Sequence, residues 1–503
     1  LATFIAPANS ASIAGTKCTK TGTTKTVSNI KYTCVKQGTN LVWNKGASIK
    51  PSVKATPTPS ASPTASTPPV IHIGDACPSS DQGATRQTTF TGVLVCTKGL
   101  DNKFSWELQG KNAAPSESAS SKQDSRIDAK KYDVSDSSKF LSPEVCKLVN
   151  QVPAPQNIGF PRDPRNIPSV GNVRGITLFV DFTDLPSDDN QIRVWKEQQT
   201  PTAEKGFAFM SYGKMNFKLD MIEKILHINK SVLSYNLDTP HGTPMKKNAN
   251  VQGLIYDAAM AADQEVDFNK YDFINVVTPW TTQIGFEGTS GVDFKIDGKQ
   301  FNFGTFGPIR EYMNDPSKYM WMIHETGHML GLFHQYNTSG NNRTKGDFAI
   351  WDAMGSGVSP AYDLLAWHKF ILGWFDQNQV NCLNTNSKST TIHLVTPLGE
   401  NVSGTKAVMI KLSEAEILVI ENRRASMVDN ITPSEEGIVV YRVNTMIASD
   451  SGAILHIVTN NPKTRNGILL GSLTPGDKVS YGNVSVEVLS SAVAGDYVSV
   501  NIG

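Results

Sequence analysis

The sequence lacks any long apolar run and carries almost no net charge. None of its 503 residues belongs to a stretch that approaches the ~20 consecutive apolar residues of a membrane-spanning helix. The formal net charge is +1 with 18% charged residues, which indicates neither a nucleic-acid partner nor an acidic membrane surface. The 39% hydrophobic content suits globular domains joined by polar linkers, and the length allows roughly two to four of them.

Cysteine is also scarce, but its six residues fall into natural pairs. Four of them form two local pairs, Cys18 with Cys34 and Cys77 with Cys96. Because these four pair locally, we predict a third disulfide between Cys146 and Cys382, although the sequence alone leaves other connectivities open. Such a bond would tie the start of the main globular region to its end.

The N-terminus and the cysteines together indicate export. The chain begins with Leu1, and residues 1–14 resemble the tail of a secretory signal peptide, although a flexible terminus would look the same. Paired cysteines favour an oxidising compartment. We therefore expect a secreted, extracellular protein, and leave cell-wall association open.

Two short segments near the N-terminus resemble each other, residues 15–50 and 71–110. Each reads Gly-x-x-Cys, then a turn-rich polar stretch, a short strand ending in a second Cys, and an aromatic-containing strand. Segments of about 35 residues bury little core, so each is predicted to be a small β module stapled by its disulfide. Trp43 and Trp106 stand at matching places, where they either fill the small cores or contact cell wall or polysaccharide.

Three of the nine histidines lie within eleven residues, at the spacing H-E-x-x-H-x-x-G-x-x-H. On a helix, His324 and His328 share one face about a turn apart and can bind one metal ion. His334 can join them only if the helix ends first, and Gly331 is the residue that can adopt the left-handed conformation needed to end it. We predict three neutral histidine ligands to Zn²⁺, with Glu325 as general base.

The pattern H-E-x-x-H alone also occurs by chance on buried or charged helices. The added glycine and third histidine make chance less plausible, because the other residues of this segment are largely apolar. Burying three histidines in such surroundings without a shared partner would be energetically costly. The extended motif therefore favours a metal site.

The remaining chain is predicted to form two domains after the polar linkers 51–70 and 111–130. Residues 131–384 contain predicted strands 175–182 and 271–279, helices 203–212 and 252–263, the metal helix, and a helix over 359–374. A glycine-rich stretch, 285–291, is either a turn or part of a cleft rim. Residues 385–503 are predicted to be all β. Their strands are 407–411, 417–421, 437–443, 454–458, 484–488 and 497–502.

The extended motif, followed by Met354 in the turn WDAMG, resembles the metzincin clan of zinc peptidases. Further segments narrow the resemblance to the immune inhibitor A-like family of secreted bacterial metallopeptidases, over about residues 140–503. These include VDFTD, MSYGKMNFKLD, LLAWHKFILGW and ILVIENRR. The resemblance implies an α+β fold, with a twisted sheet, the zinc helix and a methionine turn, between the N-terminal β modules and the C-terminal β domain. It also implies an endopeptidase acting on protein or peptide, and Ca²⁺ as a second ion. Met354 would form an apolar floor beneath the metal.

Two other functions stay open at this point. One is a non-catalytic, wall-associated binding protein or adhesin on a peptidase scaffold, although its intact Glu325 is not required for that role. The other is a zinc hydrolase acting on cell-wall peptides. A latent form is a third possibility, with residues before 170 covering the cleft.

Overall fold

The structure is a computed structural model of the chain, and the residues that it describes divide into two compact units, Leu1–Pro69 and Val70–Gly503. The described residues are 14–27, 30–44, 47–48, 77–82, 84–87, 93–98, 104–108, 126–151, 158–187, 190–237, 248–279, 288–308, 321–335, 350–355, 363–426, 429, 431–447, 455–460, 464–465 and 468–503. The domain boundaries given above stay predictions.

The first unit contains a small antiparallel sheet. Its strands are β1 Thr24–Val27, β2 Ile30–Gln37, β3 Asn40–Trp43 and β4 Ala47–Ser48, in the order β1-β2-β3 with β4 also on β2. A disulfide joins Cys18 to the buried Cys34. Cys34 lies opposite Trp43 in the sheet register, and Trp43 is half-buried.

The second unit begins with a similar small sheet. Its strands are β5 Thr85–Gln87, β6 Val93–Lys98 and β7 Phe104–Leu108, in chain order. A disulfide joins Cys77 to Cys96, which lies opposite Trp106. Both small sheets therefore place the second cysteine across from a tryptophan on the next strand.

A five-stranded sheet forms the centre of the second unit. Its strands are β8 Gly171–Phe182, β9 Met215–Ile228, β10 Phe273–Thr278, β11 Gly288–Ile296 and β12 Lys299–Pro308, in the order β11-β12-β10-β8-β9. Four of them run parallel, and β11 lies antiparallel at one edge. The apolar run of β8 suits a parallel strand that is covered on both faces.

Helices cover both faces of this sheet. They are α1 Asn190–Val194, the π-helical segment Trp195–Gln199, α2 Thr200–Met210, α3 Val251–Ala262 and α4 Trp321–Met329. A further helix, α5 Ala366–Ile371, belongs to a different core. One face packs against α2 and α4, with Phe179 of β8 in that core. The other face packs against α3, with Leu178 of β8 in that core. Successive β8 residues therefore enter opposite cores, as the period of two in a strand requires.

The C-terminal strands form two larger sheets and a short pair. They are β13 Val380–Asn384, β14 Ser389–Val395, β15 Ala407–Lys411, β16 Glu416–Arg423, β17 Gly437–Asn444, β18 Leu455–Ile457, β19 Thr464–Arg465, β20 Ile468–Leu469, β21 Lys478–Tyr481, β22 Val484–Ala492 and β23 Gly495–Ile502. The orders are β13-β15-β16-β17-β18 and β14-β23-β22-β21, with β19 paired to β20. The two larger sheets share a core, and the other face of the first packs on α5.

The third disulfide joins Cys146 to Cys382 on β13, and both cysteines are fully buried. The three bonds thus join the same pairs that the sequence indicates. No helix in the described ranges combines the length and the apolar character needed to cross a bilayer.

Several predicted elements differ from the structure. The helix over 359–374 is shorter, since α5 covers only Ala366–Ile371 and residues 359–362 lie outside the described residues. Three strands of the central sheet, β9, β11 and β12, were not predicted. Of these, β9 is a long edge strand whose middle, Ile222–Lys224, is exposed or half-buried and partly charged. Part of the glycine-rich stretch 285–291 is not a turn, because β11 starts at Gly288; residues 285–287 lie outside the described residues.

Candidate metal centre

The helix α4 ends where the histidine spacing requires it to end. His324, which is buried, and His328, which is half-buried, stand one turn apart on it. Gly331 has φ +92°, and its N–H donates to the carbonyl of His328 at 2.9 Å. The N–H of Leu332 donates to the carbonyl of Gly327, also at 2.9 Å. These two bonds form a Schellman motif, so glycine at this position reverses the chain without strain.

The reversal brings the third histidine back to the first two. One ring nitrogen from each of His324, His328 and His334 lies within 4.8 Å of the other two. The ring centroids are 4.9 Å apart for His324 and His328, and 4.1 Å apart for His328 and His334. The structure therefore brings together all three residues that the spacing identifies.

Hydrogen bonds to backbone carbonyls orient two of these rings. Nδ1–H of His324 donates to the carbonyl of Ala353 at 2.7 Å, and Nδ1–H of His328 donates to the carbonyl of Leu332 at 2.9 Å. Each bond leaves Nε2 as the nitrogen with a lone pair. Nε2 of His328 is buried and has no hydrogen-bond partner. A buried imidazole nitrogen in that state fits a metal ligand.

The environment keeps His324 and His328 neutral, which is the form that binds metal. Burial, with a smaller effect from His334, lowers the pKa of His324 to about 4. Burial and the neighbouring histidines hold the pKa of His328 well below its usual range. Three imidazole ligands with a further coordination position are a ligand set that Zn²⁺ accepts in catalytic sites. The residues present therefore fit zinc.

Met354 lies beneath the metal helix, in the short 3-10 turn Ala353–Gly355. It is fully buried, and its sulfur packs against Gly327 of α4. The N–H of Met354 donates to Oδ1 of Asp352 at 2.7 Å. The turn therefore supplies both an apolar surface under the helix and, from Ala353, the carbonyl that orients His324.

A buried pair, Asp352 and His368, holds this turn in place. Nδ1–H of His368 on α5 donates to Oδ2 of Asp352 at 2.8 Å, and the N–H of Leu365 donates to the same oxygen at 2.6 Å. Burial would raise the pKa of Asp352, but His368 and the bonds from Leu365 and Met354 outweigh it and lower the pKa. This pair could not be predicted from the sequence, since nothing in a spacing of 16 residues marks these two side chains as partners.

Glu325, next to the first ligand, is held by the edge strand β11. The N–H of Thr289 donates to Glu325 Oε2 at 2.8 Å, and the Thr289 hydroxyl lies 3.0 Å from the same oxygen. That hydroxyl also lies 2.7 Å from the Glu325 carbonyl. Gly288 passes so close that a Cβ there would lie 3.3 Å from Oε2. The strand β11 therefore fixes the position of the Glu325 carboxylate.

Two further expectations concern Cys146 as a possible zinc ligand and a second ion, Ca²⁺. Cys146 is bonded to Cys382, so its sulfur is not a zinc ligand. Within the described residues, the histidine triad is the one group of three or more side chains with metal-ligand spacing, and no calcium site is identified there. Residues 336–349 and 356–362, which flank the methionine turn, lie outside the described residues.

Comparison with known proteins yields distant structural likenesses only. No protein-family model and no curated protein matches the chain. Metalloproteinase-II from Bacteroides fragilis is 15% identical at TM-score 0.24, and the match covers 42% of this chain and 56% of that one. Wild-type OgpA from Akkermansia muciniphila is 14% identical at TM-score 0.26, covering 68% and 96%. Its catalytically inactive form, in complex with an O-glycopeptide, is 11% identical at TM-score 0.24, covering 69% and 97%. At these TM-scores the likenesses carry no argument about function.

Proposed function

We propose that this chain is a secreted zinc-dependent endopeptidase that hydrolyses peptide bonds in protein or peptide substrates. The observation that carries the proposal is the convergence of three imidazoles within 4.8 Å, beside a carboxylate that a neighbouring strand holds. The unpartnered Nε2 of His328 supports a metal rather than a hydrogen-bonded histidine cluster.

In this proposal His324, His328 and His334 hold the ion, and Glu325 is the proton carrier. Zn²⁺ bound there supplies a Lewis acid that activates water and polarises a carbonyl. Glu325 accepts a proton from the attacking water and delivers it to the departing amine. Thr289 keeps the carboxylate in one orientation through its N–H and hydroxyl. Met354 packs beneath the helix that carries two of the ligands.

The strand β11 is the best position for an extended substrate. Among the described residues, β11 lies at the edge of the sheet and pairs with β12 alone. Its residue Thr289 contacts Glu325, so a peptide added alongside β11 would pass the proton carrier. An extended peptide pairs readily with an exposed sheet edge.

Membership of the immune inhibitor A-like family, and of the metzincin clan, remains part of this proposal and rests on the motifs quoted above. Secretion rests on the same resemblance and on the three disulfides. We favour the enzyme over a non-catalytic scaffold, because a scaffold has no need of a buried Glu325 that accepts a hydrogen bond from Thr289.

The test combines zinc analysis with hydrolysis of casein and, separately, of peptidoglycan. Wild type, Glu325→Gln and the exposed control Glu223→Gln are compared. We expect about one zinc per chain in all three, and casein hydrolysis by wild type and Glu223→Gln only.

Three outcomes would change this conclusion. Release of peptidoglycan peptides without casein cleavage would restrict the substrate to the cell wall. Zinc in every protein with no hydrolysis of either substrate would favour the binding protein or a latent form. A wild-type chain that binds no zinc contradicts the proposal.

A further inference from the structure

A segment that precedes the central sheet contacts the end of the metal helix. The N–H of Ile167 donates to the carbonyl of Met329 at 3.1 Å, and Nη2 of Arg162 donates to the carbonyl of Leu330 at 3.0 Å. Carbonyls in the last turn of a helix have no partner within the helix. A cation placed there also interacts favourably with the helix dipole. The last turn of α4 is therefore completed by residues far away in the chain.

Through Ser169, the same guanidinium group is also connected to the end of a second helix. Nη2 of Arg162 also donates to the carbonyl of Ile167 at 2.9 Å, and Nη1 donates to the hydroxyl of Ser169 at 2.7 Å. That hydroxyl in turn donates to the carbonyl of Leu372, the C-cap of α5, at 2.8 Å. Arg162 and Ser169 thus connect the C-terminal ends of two helices. Helix α4 carries the ligands His324 and His328, and α5 carries His368.

The contact at Leu330 bears directly on the ligands. Leu330 immediately precedes Gly331, where the chain reverses toward His334. The carbonyl of Leu332, the residue after Gly331, accepts the hydrogen bond that orients His328. One turn therefore determines the position of the third ligand and the orientation of the second.

We infer that Arg162 is a positioning residue for the metal centre, acting through the turn at residues 330–332. Its charge-assisted bond to Leu330 holds that turn in the conformation which brings His334 to the other two ligands. The inference rests on the proposed zinc site and adds to it a residue outside the zinc motif. The effect is expected in metal affinity and ligand geometry rather than in substrate binding.

The experiment measures zinc affinity by competition with a chromophoric chelator, and the visible absorption of the Co²⁺-substituted protein. The test variant is Arg162→Met, which removes the donors and keeps an apolar stem. The matched control is Arg165→Met in the same segment, since Arg165 pairs with Asp163 at the surface. Arg162→Lys restores the cation without the two-armed geometry.

We expect Arg162→Met to weaken zinc binding by about 10- to 100-fold, the range usual for residues that support metal ligands. Its Co²⁺ spectrum should change, Arg162→Lys should recover part of the affinity, and Arg165→Met should match wild type. Wild-type affinity and an unchanged spectrum in Arg162→Met would overturn the inference, even if that variant unfolds at a lower temperature.

A milder variant covers the case in which Arg162→Met does not fold. Ser169→Ala removes one of the acceptors of Arg162 and the link to Leu372. It should weaken zinc binding less than Arg162→Met does, because the bond from Arg162 to Leu330 stays. Wild-type affinity in both Ser169→Ala and Arg162→Lys would count against the inference. Zinc binding by wild type separates the two hypotheses: its absence overturns the proposed function, whereas equal affinity in wild type and variants overturns only the role of Arg162.

Discussion

The sulfur of Met354 packs against the backbone of the metal helix at Gly327, so closely that a Cβ on Gly327 would lie 2.4 Å from it. Alanine would otherwise stabilise a helix over glycine by up to about 1 kcal/mol. Here the overlap outweighs that gain, since Met354 is fully buried and has little room to move. Overpacking of this kind costs about 1–3 kcal/mol.

We therefore predict that Gly327→Ala destabilises the protein and weakens zinc binding. Denaturant unfolding and zinc affinity are the measurements. The destabilisation should shrink when Gly327→Ala is made in a Met354→Ala background, because the smaller side chain removes the overlap. An equal cost in both backgrounds would show that the contact with Met354 is not the cause.

Thr289 is predicted to act on Glu325 rather than on the metal. Thr289→Val keeps the shape and the N–H but removes the hydroxyl near Glu325 Oε2 and the Glu325 carbonyl. We expect kcat to fall about tenfold, whereas zinc content and KM should change little. The size is the one usual for residues that hydrogen-bond to catalytic or ligand side chains. Thr289→Ser, which keeps the hydroxyl, is the control and should retain most activity. Parallel loss of zinc would place Thr289 in the metal site instead.

The buried pair of Asp352 and His368 is predicted to support the turn that orients His324. Asp352→Asn places an amide where Oδ2 now accepts hydrogen bonds from Leu365 and His368. Disrupting a buried, hydrogen-bonded charge costs about 3–5 kcal/mol. We expect lower stability and weaker zinc binding, whereas Asp376→Asn at the surface should change neither. Unchanged zinc affinity in Asp352→Asn would separate the pair from the metal centre.

We predict that the buried side chain of His393 makes the stability of the protein depend on pH, independently of the metal centre. It accepts a hydrogen bond at Nδ1 from Asn381, Nε2 lies near Thr391, and burial lowers its pKa to about 4. Since the pKa is lower in the folded state, its contribution is complete above pH 6.5 and is lost as the pH falls toward 4. The change amounts to at most about 3 kcal/mol.

Denaturant unfolding between pH 7 and pH 4 checks this expectation. The buried histidine ligands contribute with the same sign, so the readout is the difference between variants. His393→Gln should flatten the loss of stability at low pH, and His227→Gln, with an exposed ring, should not. Identical pH profiles for His393→Gln and wild type would rule out this contribution.

The disulfide between Cys146 and Cys382 closes a sequence separation of 236 residues. In the chain-entropy model a loop of this size gives about 5 kcal/mol, and measured losses are often smaller. The double variant Cys146→Ala, Cys382→Ala should unfold at lower denaturant concentration than wild type. Removal of Cys18 and Cys34, in the other compact unit, should leave that transition unchanged. A shift of equal size after removal of either cysteine pair would contradict the prediction that the Cys146–Cys382 bond specifically stabilises this transition.

Much of the element pattern could be predicted because it depends on local sequence. The buried strands β8 and β10 and the helices α2 and α3 lie close to their predicted positions. The strands β9, β11 and β12 were not predicted. In β9 the exposed, partly charged residues along the middle of the strand interrupt the apolar run. The order of strands in each sheet was not predicted, because pairing depends on contacts between distant segments.

The sequence by itself determined the three histidines and the glycine between them, because helix geometry relates residues four apart and only glycine readily adopts the φ of +92° that ends α4. Only the tertiary structure decided which groups complete the site. Thr289 reaches Glu325 from an edge strand, Ala353 orients His324 from a later turn, and Arg162 reaches Leu330 across 168 residues. Such contacts leave no periodic or spacing signal, since they are set by how separate elements pack against one another.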